Sequence, residues 1–188
     1  MKKVTLMFFI LLCSTRVSAE GVFDNSIFGI AFISQSAEIE MTTSGSLVST
    51  ESETGSGFGL YLDKYYQKKY RFNGTLSYVT YDTFDVAQFM VSADYLVPLN
   101  GRISFFGGLA IGGALQAYSD VSFSDGAGGS VYGAQLGGIM FLSDSLMLEL
   151  GYRFRPTTGI ETEIQNSPGT ISSVTDLSEA YLSILLMF

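Results

Sequence analysis

Read two residues at a time, most of the chain after residue 25 separates into segments in which one phase is apolar and the other small or polar. That is the mark of strands with two different faces. In "YRFNGTLSYVT", Tyr70, Phe72, Gly74, Leu76 and Tyr78 alternate with Arg71, Asn73, Thr75 and Ser77. Ala87, Phe89, Val91, Ala93 and Tyr95 then oppose Gln88, Met90, Ser92 and Asp94. "LMLELGYRF" shows the strongest contrast, with Leu146, Leu148, Leu150, Tyr152 and Phe154 against Met147, Glu149, Gly151 and Arg153. The closing segment sets Ala180, Leu182, Ile184, Leu186 and Phe188 against Glu179, Tyr181, Ser183 and Leu185. Residues 26–39, 55–65, 103–117 and 131–142 follow the same rule with less contrast, which brings the predicted strands to eight.

The connections carry a second rhythm. Short ones fall near "DKYYQKK", at "PLNG" and at "SDS". Between them come "TTSGSLVSTESET", "YDTFD", "YSDVSFSDGAGGS" and "PTTGIETEIQNSPGTISSVTD", mostly long and rich in Ser, Thr, Gly and acids. Alternation of short and long connections predicts an all-β fold, an eight-stranded antiparallel up-and-down transmembrane β-barrel with periplasmic turns and outer loops. Its last strand is expected to pair with the first near Phe28 to Phe32, and Leu182, Ile184 and Leu186 then face lipid. The stretch from Ile103 to Tyr118 is the nearest thing to a membrane helix, but it is short and holds four glycines, so a strand is expected there too.

Charge supports the barrel. In the last six strands the apolar phase holds no charged residue, whereas Arg71, Asp94, Glu149, Arg153 and Glu179 all fall in the opposite phase. A soluble sheet would put its charges on the outer phase, and a lipid-facing Arg or Lys costs about 2–4 kcal/mol at the bilayer midplane. Tyr70, Phe72, Tyr78, Phe89, Tyr95, Tyr152, Phe154 and Phe188 are expected near the ends of outward phases, as interfacial girdles.

Composition fits the same picture. Of 188 residues, 47% are hydrophobic and only 15% charged, against about 25% charged in soluble domains. Residues 1–19 read as a secretory signal peptide, with Lys2 and Lys3, the apolar "VTLMFFILL" and the small-residue site "VSA" ending at Ala19. Residues 20–188 are then the barrel domain. Cys13, the only cysteine, lies in the leader, where "ILLC" is a poor match to a lipoprotein site because Leu12 precedes it. The mature chain is therefore expected to have neither disulfide nor thiolate metal site. Its net charge of −8 becomes −11 once the leader cations Lys2, Lys3 and Arg16 are lost, which sets nucleic acid aside as a partner.

The interior of an eight-stranded barrel is only wide enough for side chains to fill it. Arg71, Asp94, Glu149, Arg153 and Glu179 are accordingly expected to form a paired polar plug, and a narrow porin-like channel for small solutes is the alternative.

Together with "FFGGLAIGG", "LELGYRFR" and a last strand whose outward phase ends in Phe188, these features resemble the small outer-membrane barrels of Gram-negative bacteria, the OmpA transmembrane-domain and opacity-type porin-like group. The resemblance implies residence in the outer membrane among lipid and lipopolysaccharide. It also implies assembly by the barrel-insertion machinery and periplasmic chaperones, with Phe188 as the insertion signal. A structural or surface-interaction role through the extracellular loops follows, with the loop partner unspecified. OmpA itself continues into a peptidoglycan-binding domain, and this sequence stops at the barrel, so no such anchoring role is implied.

Enzymes also occur on such barrels, as lipid A deacylase, palmitoyltransferase, phospholipase and protease. Those catalytic sites resemble one another in using a histidine, and this sequence has none. No catalytic residue, cofactor or metal is therefore expected. "GSGFG" lies in a strand with no following helix or Lys, so it is no phosphate loop. The loop acids Glu51, Glu53, Asp120, Asp125, Glu161 and Glu163 match no calcium loop and read as a solvated negative face. Lys64, Lys68, Lys69 and Arg102 cluster by the short turns, which leaves the outer loops without a heparin-type basic patch.

Overall fold

In the computed structural model, residues 26–67, 69–118, 126–164 and 169–187 are described. The expected signal peptide, residues 1–19, and Phe188 lie outside them. The strands are β1 (Ser26–Thr43), β2 (Ser46–Tyr66), β3 (Tyr70–Thr80), β4 (Phe84–Pro98), β5 (Ile103–Tyr118), β6 (Ala127–Phe141), β7 (Leu146–Thr158), β8 (Glu161–Glu163) and β9 (Thr170–Met187). Each long strand pairs antiparallel with its neighbour, and β9 closes the sheet on β1, making an eight-stranded barrel; the short β8 pairs with β9 at one end. Closure occurs at the expected place, with Phe28 opposite Leu186 and Phe32 opposite Leu182. Residues 103–118 form a strand, and no helix occurs among the described residues.

The ladder shows how the strands are staggered. Paired residues run from Tyr65 on β2 through Arg71, Asp94, Gly108, Gln135, Arg153, Glu179 and Gln35, and return to β2 at Gly55 rather than at Tyr65. This offset along one strand is the shear that tilts every strand against the barrel axis. Four of the five charged residues expected inside the barrel stand on this single line.

Short turns and both described ends of the chain mark one end, here the lower. At the β4–β5 turn the Asn100 side chain accepts hydrogen bonds from the backbone N–H of Arg102 (2.8 Å) and Ile103 (2.9 Å). Ser143 Oγ accepts similarly from Ser145 and Leu146 at the β6–β7 turn, at 3.3 and 3.1 Å.

The upper end differs from expectation. "TTSGSLVSTESET" is not a loop: β1 and β2 continue through it as one long hairpin, pairing as far as Thr43 with Ser46. Ser44 and Gly45 turn the chain, both at positive φ (51° and 81°), as a two-residue primed turn requires. The connection between β7 and β9 likewise yields strand, since β7 runs to Thr158, β8 occupies Glu161–Glu163 and β9 starts at Thr170. Alternating Ser, Thr and Glu make adequate strands when both faces meet water. They simply lack the apolar contrast that reveals a strand in a sequence.

Outward residues in the middle of the wall are apolar and exposed: Ile30, Leu60, Leu109, Leu136, Leu150 and Leu182 are 46–71% accessible. Lys64 lies at the lower rim, paired with Ser26, and Asp85 at the upper rim, paired with Thr80. Tyr70 and Tyr95 meet edge to face at the lower end, with centroids 5.6 Å apart, while Phe32 and Phe58 do so higher up at 5.9 Å. Tyr152 departs from the girdle pattern. It lies midway along β7, opposite Leu136 and Ala180.

Candidate functional site

Inward-facing residues fill the barrel in three layers. Near the lower end, Ile27, Leu96, Phe106, Ile139, Met147 and Leu185 are buried. Near the upper end, Tyr81 and Phe84 stack at 4.4 Å between centroids and Phe84 meets Tyr118 at 5.6 Å, with Ile39, Ile160 and Val174 buried around the same mouth. Between these layers, the upper of which also buries Gln116, Thr162 and Ser172, lies a lattice of charges, where Arg71, Asp94, Glu149, Arg153 and Glu179 are each no more than 3% accessible.

The lattice has two knots. In the lower one Arg71 gathers three carboxylates. Its Nε donates to Asp94 Oδ2 at 2.8 Å, its Nη2 to Glu149 Oε1 at 3.3 Å, and its Nη1 contacts both Glu149 Oε2 and Asp63. Asn73 donates to Asp63, and Tyr181 Oη donates to Glu149 Oε1 at 2.6 Å. The Arg71 guanidinium also sits 4.3 Å over the Phe106 ring.

In the upper knot the ratio is reversed, because two guanidiniums share one carboxylate. Arg153 Nη1 donates to Glu179 Oε1 at 2.7 Å and Arg155 Nη1 to Glu179 Oε2 at 3.1 Å. Gln35 Nε2 adds a third donor to Glu179 at 2.8 Å, and Arg155 also donates to Gln88 Oε1 at 2.8 Å. Arg153 packs against two rings, its Cζ 3.9 Å from the Tyr181 centroid and 4.9 Å from that of Tyr61, and donates to Tyr61 Oη at 2.5 Å.

Gln135 ties the knots together. Its Nε2 donates to Asp94 Oδ1 at 2.6 Å while its Oε1 accepts from Arg153 Nε at 3.0 Å. Small residues on the inward phase make room for these groups. A Cβ on Gly151 would collide with the Tyr181 ring, and one on Gly108 with Asp94 and with backbone.

The structure thus brings all five expected interior charges together and adds partners that the sequence reading omitted. Asp63 and Arg155 belong to the same inward phases, two residues beyond Tyr61 and Arg153 respectively, so following the phase to its end would have found them. Gln35, Gln88 and Gln135 are polar, buried and inward, but nothing in the local pattern marks them as ligands of charge. Chemically the arrangement is closed. Each charged group meets an opposite charge, and the five expected charges are all buried. Among the described residues no group of His, Cys, Asp or Glu is arranged to hold a metal ion.

No family model matches the sequence, and no curated protein is similar to it in sequence. Solved structures are similar in fold. Neisserial surface protein A superposes with a TM-score of 0.59 at 14% identity, over 85% of this chain and 97% of that one. Ail, the attachment invasion locus protein of Yersinia pestis, does so at 0.52 and 12% identity, over 88% and 99%. The outer membrane protein OprG from Pseudomonas aeruginosa gives 0.51 and 13%, over 88% and 96%. The chain has the fold of the small eight-stranded outer-membrane barrels.

Proposed function

We propose that this protein is an integral outer-membrane barrel of Gram-negative bacteria, and that its filled interior anchors an acidic sheet displayed at the cell surface. The observation that carries this reading is the charge lattice between two apolar layers. A porin needs a continuous polar path, and here the centre of the barrel is occupied by ion pairs, most between neighbouring strands, with Arg71–Glu149 joining β3 to β7 and the Arg155–Gln88 hydrogen bond joining β7 to β4 across the interior. The uncharged apolar wall suits lipid and lipopolysaccharide, which replace water around it. With no histidine in the chain, no acid–base pair of the usual kind is offered to a lipid substrate, which favours a non-enzymatic role.

The lower end is periplasmic and the hairpin end extracellular. Leu47, near the hairpin tip, and Leu99, in the β4–β5 turn, are 59% and 63% accessible, and the only native cysteine is Cys13. A membrane-impermeant thiol reagent is expected to label Leu47→Cys in intact cells. Leu99→Cys should react only after the outer membrane is opened, and the reverse pattern would invert the orientation.

Phe188 is assigned as the insertion signal for the assembly machinery. Its deletion should lower the yield of assembled barrel in the outer membrane much more than the stability of the barrel that does assemble. Unchanged yield would reduce Phe188 to an interfacial anchor.

A further inference from the structure

The long hairpin leaves one strand half paired. β2 is paired with β1 from Ser46 to Lys64, with only Val48 bulged out, but its pairing with β3 begins only at Ser56 opposite Thr80, because the β3–β4 hairpin turns back at once. Among the described residues, no strand pairs with residues 46–54 of β2 on the β3 side. The base of this edge is braced: Glu53 accepts hydrogen bonds from the backbone N–H of Asp82 (2.6 Å) and Thr83 (3.1 Å) and from Thr83 Oγ1 (2.9 Å). Above the brace, Ser46 to Ser52 remain, and on either side of the bulged Val48 alternate residues turn both N–H and C=O outward, as antiparallel pairing dictates.

Proteins usually blunt such an edge with Lys, Pro, a bulge or extreme shortness. The opposite edge of the same raised sheet is treated in that way, since β8 is three residues long and carries Glu161 and Glu163. The β2 edge has no Lys and no Pro, and its one bulge is the extra residue Val48 near the tip, opposite Met41/Thr42, below which Ser49 to Ser52 pair regularly with β1.

Charge identifies the occupant. Every Lys and Arg among the described residues lies inside the barrel or at its lower end, so the raised sheet carries acids alone. Glu51 stands on the edge strand itself, Glu40 lies opposite Thr50, and Glu38 lies opposite Asp176, a like-charged cross-strand pair that a neighbouring cation would relieve. A second copy of this chain would bring acid against acid, and an acidic peptide would fare no better.

We propose that the β2 edge from Ser46 to Ser52 receives an extended, Lys/Arg-rich segment of a protein partner as an added strand. The backbone ladder supplies adhesion, and the surrounding carboxylates select for positive charge. This rests on the display role proposed above but is tested on the purified barrel in micelles, so its outcome does not depend on where the hairpin sits in a cell.

Three synthetic decapeptides serve as probes: one alternating Lys with Thr and Val, one with Glu in place of Lys, and one with the Lys sequence but every backbone amide methylated. The Lys peptide is expected to bind at least about tenfold more tightly than either control, and more weakly as salt rises. It should slow hydrogen exchange at amides of residues 46–52, and Glu51→Lys should weaken its binding. Equal binding of the methylated peptide would reduce the contact to charge alone and overturn strand addition. Protection elsewhere, no Lys-peptide binding, or dimerisation of the free barrel through this edge would overturn the proposal as well.

Discussion

Replacing Arg71 by methionine is expected to lower the unfolding free energy of the barrel by about 3–5 kcal/mol, the usual cost of removing one partner from a buried ion pair. Methionine approximates the length of the arginine stem, so lost packing contributes little. What remains is three carboxylates, Asp63, Asp94 and Glu149, facing one another with their shared guanidinium gone. The upper knot provides the internal control. In Arg155→Met, Glu179 keeps Arg153 at 2.7 Å and Gln35 at 2.8 Å, so the loss should be clearly smaller. Adding Asp63→Asn, Asp94→Asn and Glu149→Gln to Arg71→Met should recover much of the stability, because the uncompensated charge then disappears. The chain has no tryptophan, so unfolding in urea is best followed by circular dichroism or by the gel mobility of folded and heated samples. Equal losses for Arg71→Met and Arg155→Met would show that the lower knot is not the keystone of the lattice.

The second large effect is expected on the outer wall. Leu109 is 71% accessible, midway along β5 between Ala93 and Ala134, and its exposed face turns away from the described residues to the surrounding medium. If that medium is hydrocarbon, Leu109→Arg should cost about 2–4 kcal/mol in lipid vesicles, whereas Ser56→Arg at the upper rim should cost no more than about 1 kcal/mol. In water the same arginine would be harmless, since an exposed leucine contributes little to a soluble fold. Comparable effects at the two positions would contradict a lipid-facing belt.

How much of this was legible in the sequence depends on what each element touches. Where one face meets lipid and the other the interior, as from Tyr70 to Thr80 or Leu146 to Phe154, the two phases differ chemically and the strands declare themselves. Residues 46–54 meet water on both sides, so their alternation carries no contrast and they read as loop. The Ser44–Gly45 turn was visible in principle, but Ser-Gly is common in loops too. The same logic governs the interior. That Arg71, Asp94, Arg153 and Glu179 point inward follows from phase alone. Which of them meet does not, because the contact of Arg71 with Glu149, 78 residues away, is set by the shear between distant strands. Asp63 and Arg155 show the cost of stopping a phase too early. The glutamines show a real boundary, since an uncharged polar residue inside a barrel looks the same whether it bridges charges or merely fills space.

The surface role and the filled interior are two sides of one claim: the barrel holds the acidic hairpin in place and passes nothing through itself. The most direct test is single-channel recording from the purified monomer in a planar bilayer. The charge lattice and its apolar caps predict a conductance indistinguishable from the bare membrane, in the native protein and in Leu109→Arg alike. A large, stable single-channel current from the monomeric native barrel would contradict the account and make the interior a path.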